Sequence, residues 1–445
     1  MKSLKRGSNL ITLMISLFII GLIVLLTKMI LEAPFYVSHS SEADLGFVYD
    51  RNGEILFDGN AKAGDYPDGH FKDVGNLIGD TSGQMTNTLV SKNMEKLSNY
   101  SFLGGITKNG KAAIYTTLDH AANEQVYTSF NGKDGCAIAY NYSTGEILVC
   151  VSRPNVDPIS GYDDVENLPD GSLLCKAFSK TVPGSTQKVA TLLAADQAMG
   201  YETLMSKSFD CEGVYKNNTG IDIICHNAYG HGTQSVSEAF ANSCNPFFAQ
   251  LVEDPDWSIG DIIKYYENMW IAVNDDEEKE FSVDGIISDT ASTRLDDKNE
   301  FDTQWGCIGQ GYTMVSPCMM MMWESAIANG TGKATMPRLI DYVTNVQGRI
   351  TERTSAKASE QLFSESSAQD IRDIMLQNGN NYSLGYTVGI KSGTAQVKNG
   401  DEENSLLTGF VDDEDFPIAF AILVENGTSS ESSYVAQTLL SALDK

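Results

Sequence analysis

Positive charge is scarce in this chain of 445 residues: 31 lysines and arginines stand against 59 aspartates and glutamates, for a formal net charge of −28. Nucleic-acid binding needs clustered lysine and arginine to neutralise phosphates, and no basic stripe occurs in the sequence. Internal repeats and low-complexity tracts are also absent. Apolar and aromatic residues are too plentiful for a disordered chain. We therefore exclude nucleic acid as a partner and expect a folded protein of about two or three units.

Metal-binding signatures are scarce as well. No Cys-x-x-Cys pair occurs and the 5 histidines are scattered, so we predict no metal site and no cofactor. The 8 cysteines could instead form disulfides, although the sequence cannot choose among the many possible pairings. Cys211 and Cys225 flank a predicted hairpin over residues 212–224 and are the one candidate pair.

Two common catalytic signatures are missing. A serine–histidine hydrolase would carry a G-x-S-x-G turn, and none occurs. Residues 330–334 superficially resemble a phosphate-binding loop. They lack the first glycine at the required spacing and the serine or threonine after the lysine, so we reject that reading.

One long apolar run is present, close to the N-terminus. Three basic residues precede the 18 residues from Leu10 to Thr27. As a helix this run would rise about 27 Å, close to the ~30 Å of a bilayer core. It is longer than the apolar part of a signal peptide, and no small-residue cleavage site follows. We predict a cytoplasmic tail (1–8), an uncleaved transmembrane anchor (9–31) and, by the positive-inside rule, an extracytoplasmic remainder.

Three short clusters carry the candidate chemistry. Ser185 is followed three residues later by Lys188, and residues at that spacing share one face of a helix. A serine needs a base to become a good nucleophile, and an amine so placed can take its proton. The second cluster is Ser243-Cys244-Asn245, and the third is Lys391-Ser392-Gly393-Thr394.

With these clusters in this order, the chain resembles a class B penicillin-binding protein, a D,D-transpeptidase of the bacterial cell wall. The Asp-Arg-Asn-Gly turn at 50–53, the Gly-Gln-Gly segment at 309–311 and a late hairpin around 409–425 strengthen the resemblance. The likeness covers roughly residues 45 to 440. The N-terminal unit is short, as in the compact subgroup of that family.

The resemblance implies a mixed α/β (α+β) fold of the penicillin-binding and β-lactamase type. Strand patterns at both ends of residues 134–445, with helices between them, predict an antiparallel five-stranded sheet sandwiched by helical layers. We expect this stretch to be the transpeptidase domain. Residues 32–133 are expected to form a small non-catalytic extracytoplasmic domain.

Catalytic roles follow from chemistry and resemblance together. Ser185 would attack the carbonyl between two terminal D-alanines, and its backbone N–H at a helix start would face the oxyanion. Lys188 would be the base, its pKa lowered by burial and by Lys391 as a second cation. By family analogy, Ser243 would pass a proton to the leaving amine. Asn245 would bind the substrate peptide and help to position Lys188.

Substrate-binding roles are implied for the third cluster. Ser392 and Thr394 would hydrogen-bond the substrate carboxylate, and the Thr394 N–H would complete the oxyanion hole. Gly393 would let a substrate backbone approach the strand, because it has no side chain. The acyl-enzyme would then pass to the amine of a second stem peptide, and β-lactam antibiotics would acylate the same serine.

Several alternatives stay open. A class D-like β-lactamase or a β-lactam sensor also uses Ser-x-x-Lys but resembles Ser-x-Val at the second cluster, where this chain has Asn245. A D,D-carboxypeptidase would use the same residues with water as acceptor, and a non-catalytic scaffold of a cell-wall complex would need none of them. The resemblance also implies a membrane glycan polymerase as partner. Elongation, division and sporulation are not distinguished.

Overall fold

The protein is described by a computed structural model that covers residues 2–39, 44–62, 64–159, 165–274, 276–397, 400 and 402–444. The helices are α1 Lys2–Ser38, α2 Gly75–Ile78, α3 Leu89–Asn93, α4 His120–Ser129, α5 Lys188–Met199, α6 Tyr201–Met205, α7 Val236–Ala241, α8 Asn245–Glu253, α9 Ile259–Asn268, α10 Phe301–Ile308, α11 Pro317–Ala328, α12 Glu365–Gly379 and α13 Ser429–Leu443.

The strands are short in most of the chain and long near its C-terminus. They are β1 Phe47–Tyr49, β2 Ile55–Asp58, β3 Tyr100–Ser101, β4 Gly105–Ile106, β5 Ala113–Thr116, β6 Gly135–Asn141, β7 Ile147–Arg153, β8 Ser208–Cys211, β9 Val214–Lys216, β10 Asp222–Ile224, β11 Gly232–Ser235, β12 Ile271–Val273, β13 Ser282–Val283, β14 Ile286–Ile287, β15 Ala291–Thr293, β16 Met314–Val315, β17 Ile340–Thr344, β18 Ile350–Arg353, β19 Val388–Val397, β20 Glu402–Val411 and β21 Ile418–Val424.

The main sheet combines strands from both ends of residues 134–445. Its five strands lie in the order β19-β20-β21-β6-β7, and every neighbouring pair is antiparallel. All seven residues of β21 are buried, as expected of a central strand that is covered on both faces. The prediction of a five-stranded antiparallel sheet is confirmed.

Helices cover both faces of this sheet. Along β21, Ala419, Ala421 and Leu423 face one apolar core, whereas Phe420 and Ile422 face another. This alternation is the period of two that a strand imposes on its side chains. The first core contains the methionine-rich α11, whose residues are all buried and whose N-cap is Ser316. The second core contains α4 and α13.

A second five-stranded sheet forms at the N-terminal side, in the order β18-β17-β5-β1-β2. The Asp-Arg-Asn-Gly turn at 50–53 connects the two strands of its hairpin β1–β2. Two of its strands, β17 and β18, come from far along the chain, and α4 packs on the main sheet instead. We therefore propose that the boundary predicted at 133/134 should place α4 with the transpeptidase domain and β17–β18 with the small domain.

One helix in the described part of the chain is long and apolar enough to cross a membrane. It spans Asn9–Ser38, lies close to the N-terminus and is not buried against the rest of the protein. This agrees with the predicted anchor, and the helix continues beyond residue 31.

Glu324 is a charge-bearing residue buried inside α11. It is 2% exposed, and its Oε2 has no hydrogen-bond partner among the described residues. Burial raises the pKa of Glu324 to about 8, with a hydrogen bond to Thr408 acting in the opposite direction. The folded protein therefore holds this side chain protonated at neutral pH. Because the unfolded carboxyl has a pKa near 4.3, the stabilisation is complete below that pH and is lost as the pH rises to about 8.

Glu324→Gln should remove this pH dependence. The amide mimics the protonated acid and cannot ionise, so we expect the melting temperature of the variant to fall less than that of the wild type between pH 5 and pH 8. Each pKa unit of displacement corresponds to about 1.4 kcal/mol. Thermal melts of the full chain in detergent provide the measurement, with the exposed Glu365→Gln as control. Parallel curves for wild type and Glu324→Gln would contradict the assignment.

Candidate active site

The nucleophile lies in a tight turn immediately before a buried helix. Ser185 belongs to the 3₁₀ turn Gly184–Gln187, which runs directly into α5. Gly184 has a φ of 54°, and a Cβ there would lie 2.5 Å from the carbonyl oxygen of Thr394. The turn therefore rests against β19 at a distance that only glycine permits, and it leaves Ser185 half-buried.

Lys188 meets Ser185 as the three-residue spacing predicts. Its Nζ lies 2.9 Å from Ser185 Oγ, and the side chain is fully buried. The Nζ also donates to the Ser243 carbonyl oxygen at 2.7 Å and to Asn245 Oδ1 at 2.7 Å. A neutral amine has two protons and one lone pair. The two acceptor-only oxygens take the protons, which leaves the lone pair for the Ser185 hydroxyl.

The surroundings of Lys188 favour this neutral form. Burial, and after it the charge of Lys391, lowers the pKa of Lys188 well below its ordinary value. The ring of Phe248 lies 5.2 Å from the Nζ and is the kind of apolar neighbour that desolvates an amine. Among the described residues, the hydrogen-bond partners of this amine are hydroxyl, carbonyl and carboxamide oxygens, with no carboxylate. The cause proposed from the sequence, burial with a second cation, is the one the structure contains.

Lys391 brings the second amine to the same point. Strand β19 is an edge of the main sheet, and Lys391 is 1% exposed on it. Its Nζ donates to Ser243 Oγ at 3.0 Å and to the Ser392 carbonyl oxygen at 2.7 Å. Burial lowers the pKa of Lys391 to about 7. The charge of Lys391 in turn lowers the pKa of Lys188, which favours the neutral form of the Lys188 amine.

Ser243 connects the two amines. It follows α7 and has a φ of 51°, a left-handed conformation that turns the chain sharply into α8. Its Oγ lies 3.0 Å from Lys391 Nζ and 3.4 Å from Lys188 Nζ. A hydroxyl between two amines can pass a proton from one side to the other.

Asn245 begins α8 and orients its carboxamide through two contacts. Its Oδ1 accepts from Lys188 Nζ, and its Nδ2 donates to the Ile224 carbonyl oxygen at 3.1 Å. The predicted role of positioning Lys188 therefore has a direct contact to support it. Its contact with a substrate peptide stays a prediction.

The third cluster is divided between two faces of β19. Lys391 points toward Ser243, whereas the next residue, Ser392, accepts a hydrogen bond from the Tyr382 hydroxyl at 2.8 Å. Thr394 is exposed. Ser392 Oγ can still donate its own proton, so carboxylate binding by Ser392 and Thr394 stays a prediction, as does the oxyanion hole of the Ser185 and Thr394 N–H groups.

Gly393 lies against the turn that carries Ser185. A Cβ there would meet the Pro183 carbonyl oxygen at 3.0 Å and the Thr186 backbone nitrogen at 3.1 Å. The nucleophile turn therefore occupies the side of Gly393 on which a side chain would lie, and the approach of a substrate backbone to this strand stays a prediction. Its missing side chain lets β19 and the turn carrying Ser185 pack together.

Sequence reasoning gave no role to the Gly-Gln-Gly segment, which supports the nucleophile turn from behind. Gly309 has a φ of 96°, and a Cβ there would overlap the Gly184 carbonyl oxygen. Gln310 Nε2 donates to the Thr394 carbonyl oxygen at 3.3 Å. The two glycines of this segment, Gly309 and Gly311, were the sequence feature that could have indicated close backbone packing. No sequence motif indicated that Tyr382 and Phe248 would lie in the site.

The cysteines and histidines are not scattered in space. Cys211, Cys225, His231 and Cys244 place their ligand atoms within 4.8 Å of one another, so the expectation that no cysteine–histidine cluster exists is wrong. The predicted Cys211–Cys225 disulfide is also absent, because both thiols are free. The two sulfur atoms face His231 Nδ1, at 3.8 Å and 3.5 Å.

A family model for the penicillin binding protein transpeptidase domain matches residues 135–444. Among curated proteins, the chain is similar to stage V sporulation protein D of Bacillus subtilis, with 28% identity over 312 residues (65% of this chain, 45% of that protein). It is also similar to the peptidoglycan D,D-transpeptidase PbpA of Mycolicibacterium smegmatis, with 26% identity over 352 residues (71% and 67%). The chain thus spans less than half the length of the first relative.

Solved structures share the fold at low sequence identity. Penicillin-binding protein A from Mycobacterium tuberculosis, as a ceftriaxone acyl-enzyme complex, matches with a TM-score of 0.77 at 18% identity, over 92% of this chain and 100% of that one. The D,D-transpeptidase domain of a peptidoglycan glycosyltransferase from Eggerthella lenta matches with a TM-score of 0.75 at 20% identity, over 90% and 98%.

Gly309→Ala should slow acylation of Ser185 without unfolding the protein. The new methyl group must displace the Gly184 carbonyl and shift Ser185, and a shift of about 1 Å can cost about 100-fold in rate. Labelling kinetics with a fluorescent penicillin provide the measurement. Gly311→Ala is the matched control, since it also has a positive φ but would meet only Trp305, at 3.4 Å. Equal labelling rates for the two variants would refute the packing role.

Lys391→Gln should move the acidic limb of the acylation pH profile to higher pH. Removing a neighbouring positive charge makes protonation of Lys188 easier, so its pKa rises and more alkali is needed to free the base. Acylation rates measured between pH 5 and pH 10 provide the test, with the exposed Lys333→Gln as control. An unchanged limb in Lys391→Gln would show that the two amines do not interact.

Proposed function

The chain belongs to the penicillin-binding protein transpeptidase family, and on that premise we propose that it is a peptidoglycan D,D-transpeptidase that works through a Ser185 acyl-enzyme. The observation that carries the proposal is the environment of Lys188. Its buried amine has two carbonyl-type acceptors and one serine hydroxyl within 2.9 Å. That arrangement makes the amine a base aimed at a nucleophile.

Acylation follows from these contacts. Lys188 takes the hydroxyl proton as Ser185 Oγ attacks the carbonyl of the penultimate D-alanine of a stem peptide. The proton then passes through Ser243 Oγ to the nitrogen of the terminal D-alanine, which leaves. The charge of Lys391 stabilises the negative charge that develops and attracts the carboxylate of the donor peptide.

Deacylation transfers the acyl group to an amine. The amino group of a neighbouring stem peptide attacks the ester, and its proton returns to Ser185 through the same basic amine. The products are a peptide crosslink and the regenerated serine. Lys188 takes up and returns the Ser185 proton, so the same serine–lysine pair serves both halves of the reaction.

Two relatives support this assignment. The relative from Mycolicibacterium smegmatis, of which the match covers 67%, is named a peptidoglycan D,D-transpeptidase. One of the similar solved structures, penicillin-binding protein A from Mycobacterium tuberculosis, is a ceftriaxone acyl-enzyme complex, which supports the proposal that β-lactams acylate Ser185. A scaffold would have no use for a desolvated lysine beside a half-buried serine.

We base the proposed location of the protein on its N-terminal helix and on its family. Asn9–Ser38 would anchor the protein in the bacterial cell membrane as a single span, with the catalytic domain outside the cytoplasm. Peptidoglycan is built there, so the substrate and the site meet on one side. We also propose a membrane glycan polymerase as partner, since crosslinking needs newly made strands.

Fluorescent penicillin should label the wild-type chain and not Ser185→Ala, because the label is an ester of the Ser185 oxygen. Lys188→Ala should slow labelling by about 100-fold or more, the usual worth of a general base. The exposed Ser143→Ala is the control and should label normally. A wild-type chain that is folded but takes no label would favour a non-catalytic scaffold.

A second assay separates the transferase from a carboxypeptidase. The full chain is incubated with a pentapeptide donor ending in D-Ala-D-Ala and with a second stem peptide that offers a free amine. Mass spectrometry should show the crosslinked dimer. Release of D-alanine with tetrapeptide as the only other product would assign water as the acceptor and overturn the transferase proposal.

A further inference from the structure

The four residues of the cysteine–histidine cluster come from four separate points of a short stretch. Cys211 ends β8, Cys225 follows β10, His231 precedes β11, and Cys244 caps the N-terminus of α8. Cys211, Cys225 and Cys244 are at most 2% exposed, and His231 is half-buried. All eight cysteines of the chain carry free thiols. We propose that this cluster, Cys211–Cys225–His231–Cys244, is a structural zinc site.

The geometry of the cluster is close to tetrahedral coordination. Zinc binds thiolate at about 2.3 Å and imidazole at about 2.0–2.1 Å, which puts neighbouring ligand atoms about 3.5–3.8 Å apart. Cys225 Sγ and Cys211 Sγ lie 3.5 Å and 3.8 Å from His231 Nδ1. The widest pair is within 4.8 Å, so a contraction of about 1 Å closes the shell.

The chemistry of the donors selects the metal. Three thiols and one imidazole form a soft set that suits zinc and disfavours magnesium and calcium, which prefer oxygen ligands. Four protein ligands complete a tetrahedron and leave no position for water. Such a closed shell is typical of structural sites and not of catalytic ones. Binding would release the thiol protons as the three cysteines become thiolates.

The backbone brings the four donors together at two close approaches. The Cys225 N–H donates to the Gly213 carbonyl at 2.9 Å, and the His231 N–H donates to the Cys211 carbonyl at 2.9 Å. A Cβ at Gly230, which has a φ of 76°, would overlap the Cys211 carbonyl oxygen. The chain therefore holds the donors close to one another before any metal arrives.

The site would stabilise a part of the fold that has little core of its own. Strands β9 and β10 form a two-stranded ladder of three residue pairs, and only Ile223 is buried within it. Isolated two-stranded hairpins are marginal in water. A metal bound by residues on either side of this hairpin would replace the missing apolar contacts.

Cys244 joins the cluster to the catalytic residues. It lies between Ser243, whose Oγ meets both lysines, and Asn245, whose Oδ1 accepts from Lys188. Asn245 Nδ2 donates to the Ile224 carbonyl, one residue before Cys225. Zinc on Cys244 and Cys225 would fix both ends of that hydrogen bond. The zinc would thus position Ser243 and Asn245 without touching the substrate.

Metal analysis of the full chain tests the site directly. Protein purified in detergent without chelators should contain about one zinc per chain, the number a single closed shell holds. Cys211→Ser, Cys225→Ser and His231→Ala should each lose at least about nine-tenths of it. His231→Cys should retain zinc, because a four-thiolate shell is also a stable site. Cys318→Ser, a buried cysteine outside the cluster, is the matched control.

Cobalt provides a readout that does not depend on activity or folding yield. Replacing zinc by Co²⁺ should give the visible absorption of a tetrahedral site together with thiolate-to-cobalt charge-transfer bands in the near ultraviolet. Both should be absent in Cys225→Ser. Two results would overturn the proposal: zinc far below one per chain in a folded wild-type protein, or a Cys211–Cys225 disulfide found by mass spectrometry of peptides.

The link to catalysis has its own measurement. Removing zinc from the wild type with a chelator should slow labelling by fluorescent penicillin at least about tenfold, and added zinc should restore it. This arm rests on the proposed function, whereas zinc content does not. Zinc bound in a chain that never labels would leave the site standing and reject the enzyme. Normal labelling after complete zinc removal would reject the positioning role.

Discussion

The arrangement of this site depends on one desolvated amine. Lys188 is buried beneath the nucleophile turn, and its Nζ is held by Ser185, the Ser243 carbonyl and Asn245 at 2.7–2.9 Å. Burying a charged ammonium is costly, and a protein avoids much of that cost by letting the group lose its proton. Burial therefore favours the neutral amine of Lys188, and a neutral amine can act as a base. Lys391, which is buried nearby, shifts the balance further in that direction.

The fold buries this amine because the main sheet combines strands that are far apart in the sequence. Strand β6 pairs with β7 on one side and with β21 on the other, and β21 connects through β20 to the edge strand β19 that carries Lys391. Segments separated by about 200 residues in the sequence thus meet around the start of α5. Glycines set the distances at this meeting point. Gly184, Gly309 and Gly393 each lack a side chain where two backbone segments touch, so the turn, the strand and the Gly-Gln-Gly loop pack without gaps.

The sequence predicted those features that are local or that a short motif carries. Strand patterns at both ends of residues 134–445 predicted the five-stranded sheet, and three motifs named the candidate catalytic residues. Features that depend on distant pairing were missed. Nothing in residues 340–353 indicates that they join the sheet of the N-terminal unit, and nothing near Cys244 indicates that Cys211 and His231 approach it. The packing of Gly393 against the turn that carries Ser185 was also missed, because a sequence does not reveal which elements lie beside an edge strand.

The protonation state of Lys188 is the most direct test of this account. Nitrogen NMR of the full chain labelled with ¹⁵Nζ-lysine in detergent micelles would follow each lysine as the pH changes, with Lys188 assigned by its loss in Lys188→Arg. We expect a Lys188 signal that titrates well below the signals of the exposed lysines. A Lys188 amine that titrates with the exposed lysines, near pH 10.4, would contradict it.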